Sequence, residues 1–243
     1  MNRRRSVSRE FEVSVLGSFA FSVRGKPRRD LPHGSQRLLA FLALRDRAVA
    51  RTALAGTLWP EASEEHAQAS LRSALSRLNE IDRTVVRITF QELALADGVF
   101  VDIRDARLLA HRLLNPGTEQ EGDLSDRAIS TLSVDLLPDW YDDWAVAEAE
   151  EWRQLRLHAL DALADRLTAA GSYADATSAA LAAVKAEPLR ETAHAALIRV
   201  YLAEGNRAEA LAAYEHYRAL LDAELGLEPT DLIQSLIEDL QQP

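Results

Sequence analysis

The segment Ser63 to Ile81, SEEHAQASLRSALSRLNEI, decides how the rest of the chain is read. Ser63 offers its hydroxyl to the first free amides of a helix, and Glu64 and Glu65 sit in the first turn, where the helix dipole favours acids. Ala67, Leu71, Ala74, Leu75 and Leu78 recur at helical spacing and form a narrow apolar stripe that can dock on a core. Opposite lie His66, Ala69, Arg72, Ser73, Ser76 and Arg77. That face is short-chained, hydrogen-bonding and basic, which suits a helix entering a major groove about 12 Å wide to touch base edges and phosphates. An ordinary surface helix carries much the same residues, so the flanking sequence has to separate the two readings.

Upstream, Val13, Val15, Phe19, Phe21 and Val23 alternate with small polar residues and are punctuated by Gly17 and Gly25-Lys26-Pro27. Two or three short antiparallel strands are predicted there. The run SQRLLAFLALRD predicts a helix capped by Ser35, with Leu38, Leu39, Phe41, Leu42 and Leu44 around a core. A short helix follows at about Thr52 to Trp59, with Thr52 as cap, Leu54 and Leu58 inward, and Pro60 as its stop. Two helices joined by so short a connector, the second with a polar outer face, make a helix-turn-helix arrangement. Amides at the opening of the short helix, around Arg51 and Thr52, can meet a phosphate. Downstream, Thr84 to Thr89 is β-branched, Gln91-Glu92 can turn and Leu93-Ala94-Leu95 returns, so a hairpin follows the groove helix as a wing. Arg83, Arg87 and Thr89 are placed to reach an adjacent backbone or minor groove, although a solvated hairpin carries similar residues.

A chain of 243 residues accommodates two domains. It contains no Cys, which excludes disulfides and thiolate metal sites and fits a reducing cytoplasm. No apolar run approaches the roughly 18 residues of a membrane span, and Glu10 and Glu12 interrupt the stretch behind Arg3, Arg4 and Arg5 that a signal peptide would need apolar. The net charge of −10 is uneven: residues 1 to 113 carry +6 and residues 114 to 243 carry −16. A polyanion-binding first half joined to an acidic half that faces other partners is the implied arrangement.

In the second half, Asp102 is expected to cap a helix running to Leu114 and stopped by Asn115-Pro116-Gly117. A long helix from Asp143 to Ala170 ends at Gly171, with Trp144, Trp152, Leu155, Leu157, Leu160, Leu163 and Leu167 among its apolar positions. Gly171-Ser172-Tyr173-Ala174-Asp175-Ala176 then returns as Gly205-Asn206-Arg207-Ala208-Glu209-Ala210, an offset of 34 residues. That is the tetratricopeptide period, a helix-turn-helix unit that buries its apolar face only by stacking on neighbours. Leu232, Leu236 and Leu240 are expected to form a terminal capping helix.

Two constellations invite a catalytic reading. Asp139-Trp140-Tyr141-Asp142-Asp143-Trp144 joins carboxylates and aromatics as a sugar or metal site would, but capping by Asp142 or Asp143 and packing of Trp140 and Trp144 account for it. His33, His66, His111, His158, His194 and His216 are scattered without a ligand spacing, and phosphate-cradling Gly-rich motifs are absent. The sequence reads as a non-enzyme with no cofactor, metal or catalytic residue.

The order of these pieces resembles one family. An N-terminal sheet, then GSQRLLAFLAL, a helix ending LWPEAS, ASLRSALSRLNEI and a hairpin are similar to the OmpR/PhoB-type winged helix. Followed by LLPDWYDDWAVAEAEEWRQLRLHALDALADRL, AEPLRETAH and ALAAYEHYRALLDAELGLEPT, they resemble the actinobacterial antibiotic regulatory protein (SARP) family, in which that domain precedes a bacterial transcriptional activation domain. The residues and the resemblance together give a mainly α protein: a basic leader over 1–10 that lacks periodicity and is expected to be disordered, an α+β winged helix-turn-helix over 11–101, and all-α tetratricopeptide-like repeats over 102–243. The resemblance implies a cytoplasmic, nucleoid-associated transcriptional activator of secondary metabolite biosynthesis. Such a protein binds direct repeats near a −35 element, two copies together, and contacts RNA polymerase holoenzyme without any membrane partner. The family pattern adds Arg37, Arg45, Arg47 and Trp59 to the DNA-contacting candidates. Nucleotide-binding and sensor domains of larger relatives have no counterpart in these residues, so regulation by ATP or a phosphopeptide module is not expected. The rival expectation is a tetratricopeptide adaptor whose winged helix docks protein rather than DNA.

Overall fold

The computed structural model describes residues 10–81, 84–115, 117–118 and 120–238. Residues 1–9 of the expected leader, Arg83 and Leu240 lie outside the described residues. Two compact units emerge, and they do not follow a single cut in the chain. The described residues up to Asp105 group with Asp135–Glu151, and Ala106–Val134 groups with the chain from Trp152 onward.

In the first unit, β1 (Phe11–Ser14), β2 (Ala20–Val23) and β3 (Lys26–Pro27) form an antiparallel meander. The β2–β3 turn uses Arg24 and Gly25, both at positive φ, the two-residue geometry whose twist matches that of the strands. Then come α1 (His33–Ala43), β4 (Val49–Ala50), α2 (Arg51–Leu58), α3 (Glu64–Ile81), β5 (Val86–Ile88), β6 (Glu92–Leu95) and β7 (Phe100–Val101). β7 pairs parallel with β1, and β4, β6 and β5 form a second sheet in that order. Leu38, Leu39, Leu42, Leu54, Leu58, Leu71 and Leu93 are all fully buried and make the core.

Two caps differ from the sequence expectation. α1 begins at His33 behind Pro32, two residues before Ser35. Ser35 is instead buried, and its hydroxyl donates to the Ala74 carbonyl at 3.0 Å, tying α1 to α3. Likewise α2 is preceded by Ala50, which has no capping side chain, and Thr52 lies inside the helix. The amide of Arg51 goes to the Gln91 carbonyl at 2.8 Å, so the wing meets one of the donors a cap would have served.

α4 (Asp102–Leu114) opens on Asp102, whose carboxylate accepts from Ile103 at 2.8 Å and also from Val15 at 2.9 Å and Leu16 at 3.2 Å. The expected cap therefore also pins the end of β1. Two residues further along α4, Arg104 donates to the Arg45 and Ala43 carbonyls at 2.7 and 3.2 Å and closes the C-terminus of α1.

The second unit contains α5 (Asp126–Leu132), most of α6 (Asp143–Ala169), α7 (Tyr173–Ala186), α8 (Glu191–Glu204), α9 (Arg207–Leu225) and α10 (Asp231–Gln234). The 34-residue period is visible in individual bonds. Ser172 and Asn206 amides donate to Leu167 and Tyr201, and Gly171 and Gly205 donate to Thr168 and Leu202, each pair 34 residues apart. Gly171 and Gly205 both take positive φ, closing their helices in the left-handed conformation that glycine adopts without strain. Stacking buries Ala195, Ile198, Ala210, Tyr214, Tyr217 and Leu221 in one cluster. Around α10 the buried residues are Ile233 and Ile237, whereas Leu232 is exposed and Leu236 half-buried. The terminal cap is thus one residue out of register with the Leu spacing, and the Thr230 hydroxyl caps α10.

Candidate nucleic-acid interface

α3 separates its faces as its sequence pattern requires. Ala67, Leu71, Ala74, Leu75 and Leu78 are buried, while His66, Ala69, Arg72, Ser73, Ser76 and Arg77 are exposed. Ser63 caps the helix, with the His66 amide 3.4 Å from its hydroxyl and the Ala67 amide on its carbonyl at 2.8 Å. The His66 ring is drawn to that cap as well, since its Nδ1 lies 2.9 Å from Ser63 Oγ. What remains on the outward face is a row of two arginines and two serines on a helix whose inner side is anchored against α1 and α2. Such a row can donate to guanine edges and to phosphates, and a fixed backbone keeps the donors in register.

The hairpin of β5 and β6 is held in register by Val86–Leu95, Arg87–Ala94 and Ile88–Leu93. Thr89 is exposed, but its hydroxyl donates to the Glu92 carbonyl at 3.1 Å and accepts the Glu92 amide at 3.0 Å, which makes it the clasp of the turn. Arg87 is exposed, with Asp97 3.9 Å away. One feature of the tip was not foreseen: Phe90 is 94% exposed, beside the partly exposed Ile88. The sequence signal was an aromatic between the predicted strand, ending at Thr89, and the predicted turn at Gln91-Glu92.

The remaining candidates divide. Arg47 and Thr52 are exposed, and Arg51 is half-buried at the start of α2, where no side chain caps the first turn. Arg37 is taken up by Asp142, with both side chains largely buried, and Arg45 by Glu148 while it lies 4.5 Å over the Phe41 ring. Those two guanidinium groups tie α1 to the segment 142–148 and do not present themselves to a phosphate. This also corrects the role foreseen for Asp142: its backbone carbonyl begins α6, accepting from Ala145 and Val146, while its carboxylate holds Arg37. Trp59 is half-buried after α2. Around the same segment Trp144 packs edge-on against Phe41 at 5.2 Å and Trp140 at 5.9 Å, and Trp140 rests on Phe19 and His33. Trp140 and Trp144 are thus packing groups, whereas Tyr141 of the same stretch is exposed.

Among the described residues no group of three or more His, Asp and Glu is placed to hold a metal ion, and no helix is long and apolar enough to cross a membrane.

Comparison with known proteins gives a consistent picture. Residues 102–241 match the family described as bacterial transcriptional activator domain. The chain is 31% identical over 251 residues to the regulatory protein AfsR of Streptomyces coelicolor, covering 95% of this chain and 25% of AfsR. It is 28% identical over 264 residues to the transcriptional regulatory protein EmbR of Mycobacterium bovis, covering 98% of this chain and 66% of EmbR. The chain therefore spans about a quarter of the length of AfsR and 66% of that of EmbR. Among solved structures, Mycobacterium tuberculosis EmbR in complex with a low-affinity phosphopeptide superimposes with a TM-score of 0.68 at 22% identity, over 96% of this chain and 66% of that one. That likeness carries the fold, a winged helix followed by helical repeats.

Proposed function

Because this chain belongs to the bacterial transcriptional activator domain family, among the antibiotic regulatory protein (SARP) regulators, we propose that it is a sequence-specific, DNA-binding transcriptional activator. The observation that carries this reading is the outward face of α3, where Arg72, Ser73, Ser76 and Arg77 stand exposed above a fully buried stripe. In the proposal these four residues read the major groove, with His66 and Ala69 at the entering end of the same helix. Arg51 and Thr52 bring the uncapped first turn of α2 to a phosphate, and Arg47, Arg83 and Arg87 supply further backbone contacts. Thr89, Arg37, Arg45 and Trp59 hold structure around that surface.

The acidic helical repeats face protein. A charge of −16 over residues 114 to 243 repels a duplex, and stacked helical units present surfaces to partners. The proposed partner is RNA polymerase holoenzyme, met at a promoter where two copies sit side by side on direct repeats near a −35 element. Control of a secondary-metabolite pathway, in the cytoplasm, completes the proposal. Selection of fragments bound by the intact chain from its own genome tests all of this at once. Enrichment of promoter fragments carrying a direct repeat supports it, and recovery of random sequence at every salt concentration overturns it.

A further inference from the structure

A cavity of about 730 Å³ opens within the first unit, between the turn that follows α2 and the segment that begins α6. Its walls have a chemistry that DNA recognition does not use. The rings of Trp59, Tyr141 and Trp144 line it, and the Tyr141 ring is 85% exposed, a large aromatic surface left to water. Glu61 and Asp143 line it too, and neither carboxylate has an ion-pair partner among the described residues. Arg37, which also lines it, is already neutralised by Asp142, so the cavity keeps a net negative charge.

Aromatic rings and unpaired carboxylates around an open space of drug-like size define a ligand by its groups. It is positively charged, and it presents an apolar or aromatic body to the rings.

We propose that this cavity is a binding site for a small organic cation with an apolar or aromatic body, held between Trp59, Tyr141 and Trp144 and neutralised by Glu61 and Asp143. The wall formed by residues 59–62 runs directly into α3 at Glu64, so an occupant touches the segment that seats the groove helix.

The test uses the intact chain, without DNA, so its result is separate from that of the DNA-binding reading. Phenylalaninamide, which has an ammonium, a ring and an amide carbonyl but no indole, is titrated while tryptophan emission is followed. Saturable binding below about 10 mM is expected, with 3-phenylpropanamide, the same body without the charge, at least about tenfold weaker. Tyr141→Ala and the double variant Glu61→Gln with Asp143→Asn, each checked for unchanged circular dichroism, should weaken binding by a similar factor. Equal binding of the neutral amide, no saturation, or full binding by folded variants would overturn the proposal. Saturation by an arginine-rich peptide but not by phenylalaninamide would also overturn it, in favour of a protein-docking groove.

Discussion

Replacing Asp102 by Ala should cost the first unit about 2–4 kcal/mol, and the figure follows from three amides. Val15 is fully buried and its amide is served only by this carboxylate among the described residues, at 2.9 and 3.1 Å. The Ile103 amide, at 2.8 Å, belongs to the first turn of α4, and the Leu16 amide, at 3.2 Å, is near enough to the surface for water to replace the acid. Two orphaned donors at about 1–3 kcal/mol each, less what relaxation recovers, give the range. Burial holds the Asp102 carboxyl above its ordinary value of 3.8, against the lowering effect of the three amides. The folded state therefore binds this proton more tightly than the unfolded chain. Its contribution is full below 3.8 and declines as pH rises through the raised folded value. Asp102→Asn keeps one acceptor and removes the titration, so it should lose less than Asp102→Ala at pH 7 and should flatten that decline. Urea unfolding followed by tryptophan emission is the assay, since Trp59, Trp140 and Trp144 all lie in the first unit. An Asp102→Ala protein within about 0.5 kcal/mol of the parent would refute the reasoning, since that is the ordinary scatter of surface substitutions.

Neighbouring residues on α3 should behave oppositely. Leu71→Ala, at a fully buried position, should cost about 2–5 kcal/mol of stability in urea, whereas Arg72→Ala should leave unfolding unchanged and cost about 1–3 kcal/mol of specific DNA binding. Arg51→Ala should weaken specific and random DNA alike and lower the salt slope by about one unit in filter or fluorescence titrations; a loss confined to the specific site would make it a base contact. In the second unit Arg112 grips Asp123 through two bonds of 2.8 Å, and this hydrogen bonding holds the Asp123 carboxyl below its usual range. Its contribution is present above the ordinary carboxylate value and lost as pH falls through the depressed one, so Asp123→Asn should lower stability at pH 7 and lessen acid sensitivity by circular dichroism.

What could be seen in the sequence was whatever local periodicity determines. The buried stripe of α3, the Ser63 cap, the hairpin after it and the 34-residue repeat are all marked by residue spacing within a short stretch of chain, whatever they then pack against. What could not be seen depends on partners far along the chain. Ser35 looks like a cap because its type and place suit one, yet its hydroxyl meets Ala74, 39 positions away. Arg37 and Arg45 look like phosphate contacts until Asp142 and Glu148, more than a hundred residues later, fold against them. Asp142, one of two candidate caps with Asp143, turns its carboxylate to Arg37 rather than to its own helix for the same reason. The terminal helix shows the limit of periodicity itself: Leu232 and Leu236 share a spacing with Ile233 and Ile237, yet it is Ile233 and Ile237 that are fully buried, beside a Thr230 cap that is itself bonded to Glu191.

The central claim is that the exposed face of α3 binds duplex DNA. Titration of the intact chain against a fragment recovered from its genome, between about 50 and 200 mM salt, tests it most directly, because log affinity falls by about 0.9 for each phosphate neutralised per unit of log salt. The account predicts a slope of several units, specific binding well above that to random sequence, and a loss of specific but not random affinity in Arg72→Ala with Arg77→Ala. No binding at the lowest salt, or a doubly substituted, folded protein that binds the specific site as tightly as the parent, would contradict it.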